Sequence, residues 1–297
     1  MSEAELPAKL QELLRQRAKA ASDVELLDER IRFVNASICV ARAEFQDVEK
    51  YEGGLGVSEA LVDATEPKVG QLQWLSNLAP LFPAPDTPGT VAGQDWGTGA
   101  LISRHLFLTA GHCFDQDGQF WTRPERNGKP ISPAEVAILM HVKFNFQVNG
   151  ATDVLRPGES FPVVQLREHR DGGVDYAIIE LGPNAAGQLP GDIYGWLPIA
   201  PVDAKTPGTT LCIIQHPGSD GKKIEAGTLL NNIDGTLSYN NIDTLPISSG
   251  APILNDNGEI VGVHVSGGCY VNGWGLPNQG ANLGEAIGRI RDASQLI

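Results

Sequence analysis

Thr98-Gly99-Ala100-Leu101-Ile102-Ser103, followed closely by Leu106-Phe107-Leu108-Thr109-Ala110-Gly111-His112-Cys113, decides how this chain is read. Two apolar runs of strand length flank a turn, and the second runs into the small residues Ala110 and Gly111, which present a histidine. The same texture continues outward in residues 136–144, 176–181, 210–215, 251–254 and 259–265. These runs recur about every ten to twenty residues, with Gly, Pro, Asn and Asp between them, as in an all-β sandwich or barrel. The 34 glycines and 20 prolines supply the turns that such a fold needs.

Upstream of residue 96 the pattern differs. Residues 1–52 read as a helical N-terminal extension. Ser22-Asp23-Val24-Glu25 forms a capping box, in which the Ser22 hydroxyl and the Glu25 carboxylate satisfy free backbone N–H groups. Apolar residues then recur at Val24, Leu27, Ile31, Val34, Ile38, Ala41, Phe45 and Val48, a 3-4-3-4 heptad seam over 24–48. Such a seam is about 40 Å long at 1.5 Å per residue. It is read first as packing against the chain's own main domain, with self-association and docking of another protein as alternatives that the heptad period alone does not decide. Residues 53–95, with Pro80, Pro83, Pro85 and Pro88, read as a linker and lead-in, although Val69 to Leu78 can already belong to the domain that follows. Residues 96–297 form the main domain, and Asn282 to Leu296, with Glu285 three residues after Asn282, is expected to be a short C-terminal helix.

Composition narrows the function. A net charge of −14 repels phosphate backbones and anionic lipid, so neither nucleic acid nor a membrane surface is expected as a partner. No apolar stretch has the ~18 residues of a membrane span, and the polar start is unlike a secretion signal. Cys39, Cys113, Cys212 and Cys269 show no metal-ligand spacing, and the histidines show no HExxH pattern, so no metal or other cofactor is expected. Scattered thiols are read as free, which implies a cytoplasmic protein.

Three segments carry chemistry. Acyl transfer needs a nucleophile, a base and a group that orients the base. His112 supplies an imidazole after a strand. In Val174-Asp175-Tyr176-Ala177-Ile178-Ile179-Glu180-Leu181 an acidic residue stands just before a buried strand, with Asp171, in the turn Arg170-Asp171-Gly172-Gly173, as its competitor. Asp243-Thr244-Leu245-Pro246-Ile247-Ser248-Ser249-Gly250-Ala251-Pro252 supplies a hydroxyl. The order His, Asp, Ser is that of the chymotrypsin type, and the GxSxG elbow of esterases is absent.

These motifs resemble those of trypsin-like serine proteases over about residues 95–297. The resemblance implies a mainly β, chymotrypsin-like fold of two six-stranded antiparallel barrels. It also implies a serine endopeptidase acting on protein or peptide, with His112 as base, Asp175 as its orienting carboxylate and Ser249 as nucleophile. The backbone N–H groups of Ile247 and Ser249 occupy the positions of that family's oxyanion hole. Gly258 to Gly268, with His264, is similar to the pocket strand of the glutamyl endopeptidase branch, where a histidine and a threonine five residues before the nucleophile receive an acidic side chain. Here these are His264 and Thr244, which implies cleavage after Glu or Asp. His216 in His216-Pro217-Gly218 is read as structural.

Two departures stand out. The family has glycine at the position of Ile247, where φ must be positive, and a β-branched residue resists that conformation. The isoleucine is therefore either held in strain or the hole is collapsed at rest. The second is expected here, as a zymogen-like state. The family's disulfide partners for Cys113 and Cys269 are also missing, which again implies free thiols. A catalytically weak homologue serving as a protein-binding module is the alternative reading.

Overall fold

The computed structural model describes Lys19, Cys39 and residues 44–118, 121–170, 172–269 and 280–297. Its strands are β1 (Gln46–Asp47), β2 (Val69–Trp74), β3 (Asp95–Leu101), β4 (Leu106–Thr109), β5 (Glu125–Arg126), β6 (Lys129–Pro130), β7 (Met140–Phe144) and β8 (Glu159–Arg170). They continue with β9 (Tyr176–Leu181), β10 (Thr210–Gln215), β11 (Lys223–Thr228), β12 (Asn231–Ile233), β13 (Thr236–Tyr239), β14 (Pro252–Leu254), β15 (Ile260–Ser266) and β16 (Asn282–Ala286). Strands β2-β3-β4-β9-β8-β7 form a closed antiparallel barrel, completed where β7 pairs back onto β2. Its first strand, β2, falls inside the 53–95 stretch, in the part the sequence left open to the main domain.

The second unit is not a closed barrel. It is an open eight-stranded sheet in the order β1-β11-β10-β14-β15-β16-β13-β12, which corrects the expectation of two closed barrels. The outer edge of β11 is already occupied, since Gln46 pairs with Ile224 and Asp47 with Lys223. Farther along that edge the Asn241 side chain accepts from the Thr228 N–H and donates to the Thr228 hydroxyl, so a side chain stands where ladder bonds would have closed the sheet.

The continuous apolar runs are strands buried on both faces. Along β9, Ala177, Ile179 and Leu181 enter the barrel core with Phe107, Phe144 and Phe161. The alternate residues Tyr176 and Ile178 pack against Cys212, Ile214 and Ile224 of the open sheet. Along β10, Leu211 and Ile213 face the opposite way, into a third core with Leu237, Tyr239 and Ile253. The period of two thus welds barrel to sheet, and each fully buried aliphatic contributes about 1.5–3 kcal/mol.

Both expected terminal helices change. Gln46–Asp47 are extended and Val48 begins a short 3-10 turn, so no helix runs through to Val48. The remainder of the 24–48 seam, apart from Cys39 and residues 44–48, lies outside the described residues. At the other end, Asn282–Ala286 is strand β16, paired with both β13 and β15, and the helix is confined to Ile287–Ala293. Pairing on both edges of β16 outweighs the local capping signal at Asn282. Cys39 and Cys269 form a disulfide across 230 residues, while Cys113 and Cys212 are free and buried. That corrects the reading of four free thiols and removes its argument for a cytoplasmic location. Among the described residues no helix is long and apolar enough to cross a membrane.

Candidate active site

Barrel and sheet meet along a cleft of about 550 Å³ whose walls include His112, Ile247, Ser249 and His264. His112 sits in the 3-10 turn Gly111–Phe114 that follows β4. Glycine is required at 111 because a Cβ there would collide with the Arg170 carbonyl. Asp175 immediately precedes β9. Its Oδ2 lies 2.7 Å from His112 Nδ1, and its Oδ1 accepts from the N–H groups of Gly111 at 2.7 Å and His112 at 3.0 Å. Burial alone would raise the Asp175 pKa. The hydrogen bond and charge of the His112 ring, with the two N–H groups, outweigh it and hold the carboxyl below its ordinary value. Asp171, the competitor, lies outside the described residues.

Asp175 is also gripped from the sheet, by a contact that no local sequence signal marks. Its own N–H donates to Glu285 Oε2 at 3.1 Å, although 110 residues separate them. Glu285 is paired with Arg289 at 3.0 Å, and Arg289 donates to the Gly173 carbonyl. Glu285 is buried and its pKa is raised, by burial first.

Ser249 lies in the loop before β14. The loop is pinned from behind: Thr98 N–H donates to the Ser249 carbonyl at 2.8 Å, and Thr98 Oγ1 donates to the Ile247 carbonyl at 2.8 Å. Gly250 carries φ +89, and a Cβ there would strike Thr109 and Thr98, so no other residue fits between Ser249 and the barrel. Ile247 has φ +81, so the strained alternative holds in place of the expected avoidance of positive φ. Gly218 N–H donates to the Pro246 carbonyl at 2.8 Å. Because the Pro246–Ile247 peptide is trans, that bond turns the Ile247 N–H the opposite way. Among the described residues neither the Ile247 nor the Ser249 N–H has an acceptor. Thr98 and Gly218 are thus residues that the motif reading missed. The hydroxyl of the Gly-Thr-Gly string and the turn after His216-Pro217 were their only local signals.

His264 is buried in β15, with Nδ1 2.6 Å from the Tyr239 hydroxyl. Burial, then the nearby His112 charge, push its pKa down to about 3, so the ring is neutral at ordinary pH. Thr244 is fully buried, its Oγ1 has no hydrogen-bond partner among the described residues, and it does not line the cleft. His216 is buried against the Phe146 ring, away from the cleft, as its structural reading expects. Its main-chain N–H donates to Thr98 Oγ1 at 3.2 Å, which ties it to the same clasp. No group of three or more metal-ligating side chains occurs among the described residues.

Residues 97–263, more than half the chain, match the family described as the trypsin-like peptidase domain. Exfoliative toxin A of Staphylococcus aureus is 29% identical over 203 residues, 67% of this chain and 66% of the toxin. Protein y4fB of Sinorhizobium fredii is 28% identical over 195 residues, 59% of this chain and 26% of that protein. The chain therefore spans just under two thirds of the first relative's length and about a quarter of the second's. Among solved structures, a Glu endopeptidase in complex with MPD superposes with a TM-score of 0.52 at 18% identity, over 86% of this chain and 99% of that one, a likeness of fold.

Proposed function

Since the chain belongs to the trypsin-like peptidase family, we propose that it is a serine endopeptidase with Ser249 as nucleophile, His112 as general base and Asp175 as the orienting carboxylate. The observation that carries this reading is the His112–Asp175 hydrogen bond, at 2.7 Å, in a cleft that Ser249 shares. With Asp175 accepting from Nδ1–H, the lone pair of His112 lies on Nε2. There it takes the Ser249 proton as Oγ attacks the scissile carbonyl carbon. The carbonyl oxygen becomes an oxyanion, stabilised by the N–H groups of Ile247 and Ser249. When the C–N bond breaks, His112 passes the proton to the leaving amine. Water, deprotonated by the same imidazole, then releases the acyl group and restores the serine. The resting state proposed is one with this hole already open, in place of the collapsed state expected from sequence.

The proposed preference is for Glu or Asp on the acyl side of the scissile bond. A neutral His264 has one N–H to donate. In the tautomer in which the Tyr239 hydroxyl donates to Nδ1, that N–H sits on Nε2 and can be offered to a carboxylate, whereas Thr244 is buried away from the cleft in this structure. A fluorophosphonate probe tests the nucleophile. Labelling of the wild type that is lost in Ser249→Ala supports the enzyme, and no labelling of the wild type favours the catalytically weak binding module. Matched peptides with Glu or Gln before the scissile bond test the pocket. Equal kcat/KM for the two refutes the acidic preference without touching the triad.

A further inference from the structure

The cleft has two kinds of wall. One belongs to the open sheet and carries His264, Val265 and Ser266. The other belongs to the barrel and carries Trp96, Gly118 and Trp121, which no part of the proposed chemistry uses. Trp96 stands at the start of β3, two residues before Thr98, which holds the Ser249 carbonyl. Its indole N–H donates to the Cys113 carbonyl at 2.8 Å, directly after His112. Trp121 packs edge-on to Trp96, with ring centroids 6.1 Å apart. Gly118 lies between the two indoles, and a Cβ there would come within 2.8 Å of Trp96 and 2.9 Å of Trp121.

We propose that these two tryptophans form a subsite for a bulky apolar residue on the leaving-group side of the scissile bond. This rests on the reading of the site given above. If His264 receives the acyl-side residue, the chain beyond the scissile bond runs toward the opposite wall, beside the His112 turn that delivers a proton to the leaving amine. The charges at that end are spoken for. Asp117 accepts from Arg123 at 2.9 Å, and Asp95 is paired with Lys143 at 3.5 Å. What the wall offers a ligand is indole surface, which favours aliphatic or aromatic side chains over charged ones.

The test measures binding, so it does not depend on turnover. Ser249→Ala is titrated with peptides that share Glu before the scissile bond and carry Leu, Phe or Gly in the first two positions after it. Apolar peptides are expected to bind about ten-fold more tightly than the glycine peptide, because a pocket discriminates by about this much per apolar group. Trp121→Ala in the same background is expected to abolish the difference. Gly118→Ala, which wedges a methyl group between the indoles and keeps both rings, is expected to reduce it, and thermal melting establishes that each variant folds. Equal binding of the Leu, Phe and Gly peptides, or a preference undiminished in both wall variants, overturns the subsite. A preference that is present while the wild type cleaves none of the peptides leaves the subsite standing and sinks the proposed activity instead.

Discussion

Ile247→Gly separates a formed oxyanion hole from a collapsed one. At φ +81 an isoleucine is strained by about 1–3 kcal/mol, and glycine relieves that strain. Against this, removing the half-buried side chain forfeits about 1 kcal/mol of burial. The freer unfolded chain adds about 0.5–1 kcal/mol in the same direction. The terms nearly cancel, so urea unfolding of the variant is expected to lie within about 1 kcal/mol of wild type. The Pro246 carbonyl stays bonded to Gly218 and the Ile247 carbonyl to Thr98 in either case, so the direction of the N–H does not depend on the side chain. The kcat/KM for a Glu peptide and the rate of fluorophosphonate labelling are therefore expected to change by less than about three-fold. An oxyanion donor gained from nothing raises kcat by about 10²–10³-fold. A rise of that size in Ile247→Gly would show that the isoleucine had kept the hole shut, and it would refute the reasoning.

Thr98→Val keeps the shape but removes the hydroxyl that donates to Ile247 and accepts from His216, leaving two buried groups without partners. It is expected to cost about 2 kcal/mol in chemical denaturation and at least ten-fold in kcat with little change in KM, with Thr98→Ser restoring both. Glu285→Ala frees the Asp175 N–H and is expected to lower kcat more than it changes KM, whereas Glu285→Gln, which still offers an acceptor, retains most of the rate; equal losses in the two variants would contradict a positioning role. Glu225 is buried, and burial, then Asp243 and Glu44, raise its pKa to about 8. A carboxyl raised on folding gives its full stability below its unfolded pKa and loses it as pH rises through the folded value. Wild type should therefore lose about 3 kcal/mol of stability between pH 5 and pH 8 that Glu225→Gln does not, and parallel pH curves for the two proteins would contradict this.

The parts of the site legible in the sequence are those where one short segment carries both the reactive group and the backbone that presents it. Ala110-Gly111-His112 needs small residues because the Arg170 carbonyl passes against position 111. Ser249-Gly250 needs glycine because Thr98 and Thr109 press on the loop. Asp175 precedes β9, whose unbroken apolar run announces burial on two faces. Ile247 was legible only as a conflict. Local preference predicts that a β-branched residue avoids positive φ, and two hydrogen bonds, from Thr98 and Gly218, override it. Those partners lie roughly 150 and 30 residues away, and no local pattern marks them.

The same limit explains the ends of the chain. A 3-4 spacing at Phe45 and Val48 records that both are apolar at helical intervals, yet the edge of β11 offers unpaired backbone groups, and an extended Gln46–Asp47 satisfies them. The disulfide belongs to the same class of long-range fact. Cys39 meets Cys269 three residues beyond Ser266 in the cleft wall, and the Cys39 N–H also donates to Asp243 Oδ1 at 2.6 Å, beside Thr244. The wall that would select the substrate is therefore braced by a residue more than two hundred positions away. The resemblance to trypsin-like proteases covers about residues 95–297, so it offers Cys269 no partner and cannot point to Cys39. Position 39 lies in the segment expected to be helical, and of that segment β1 and Cys39 contact the open sheet and the loop that follows β13.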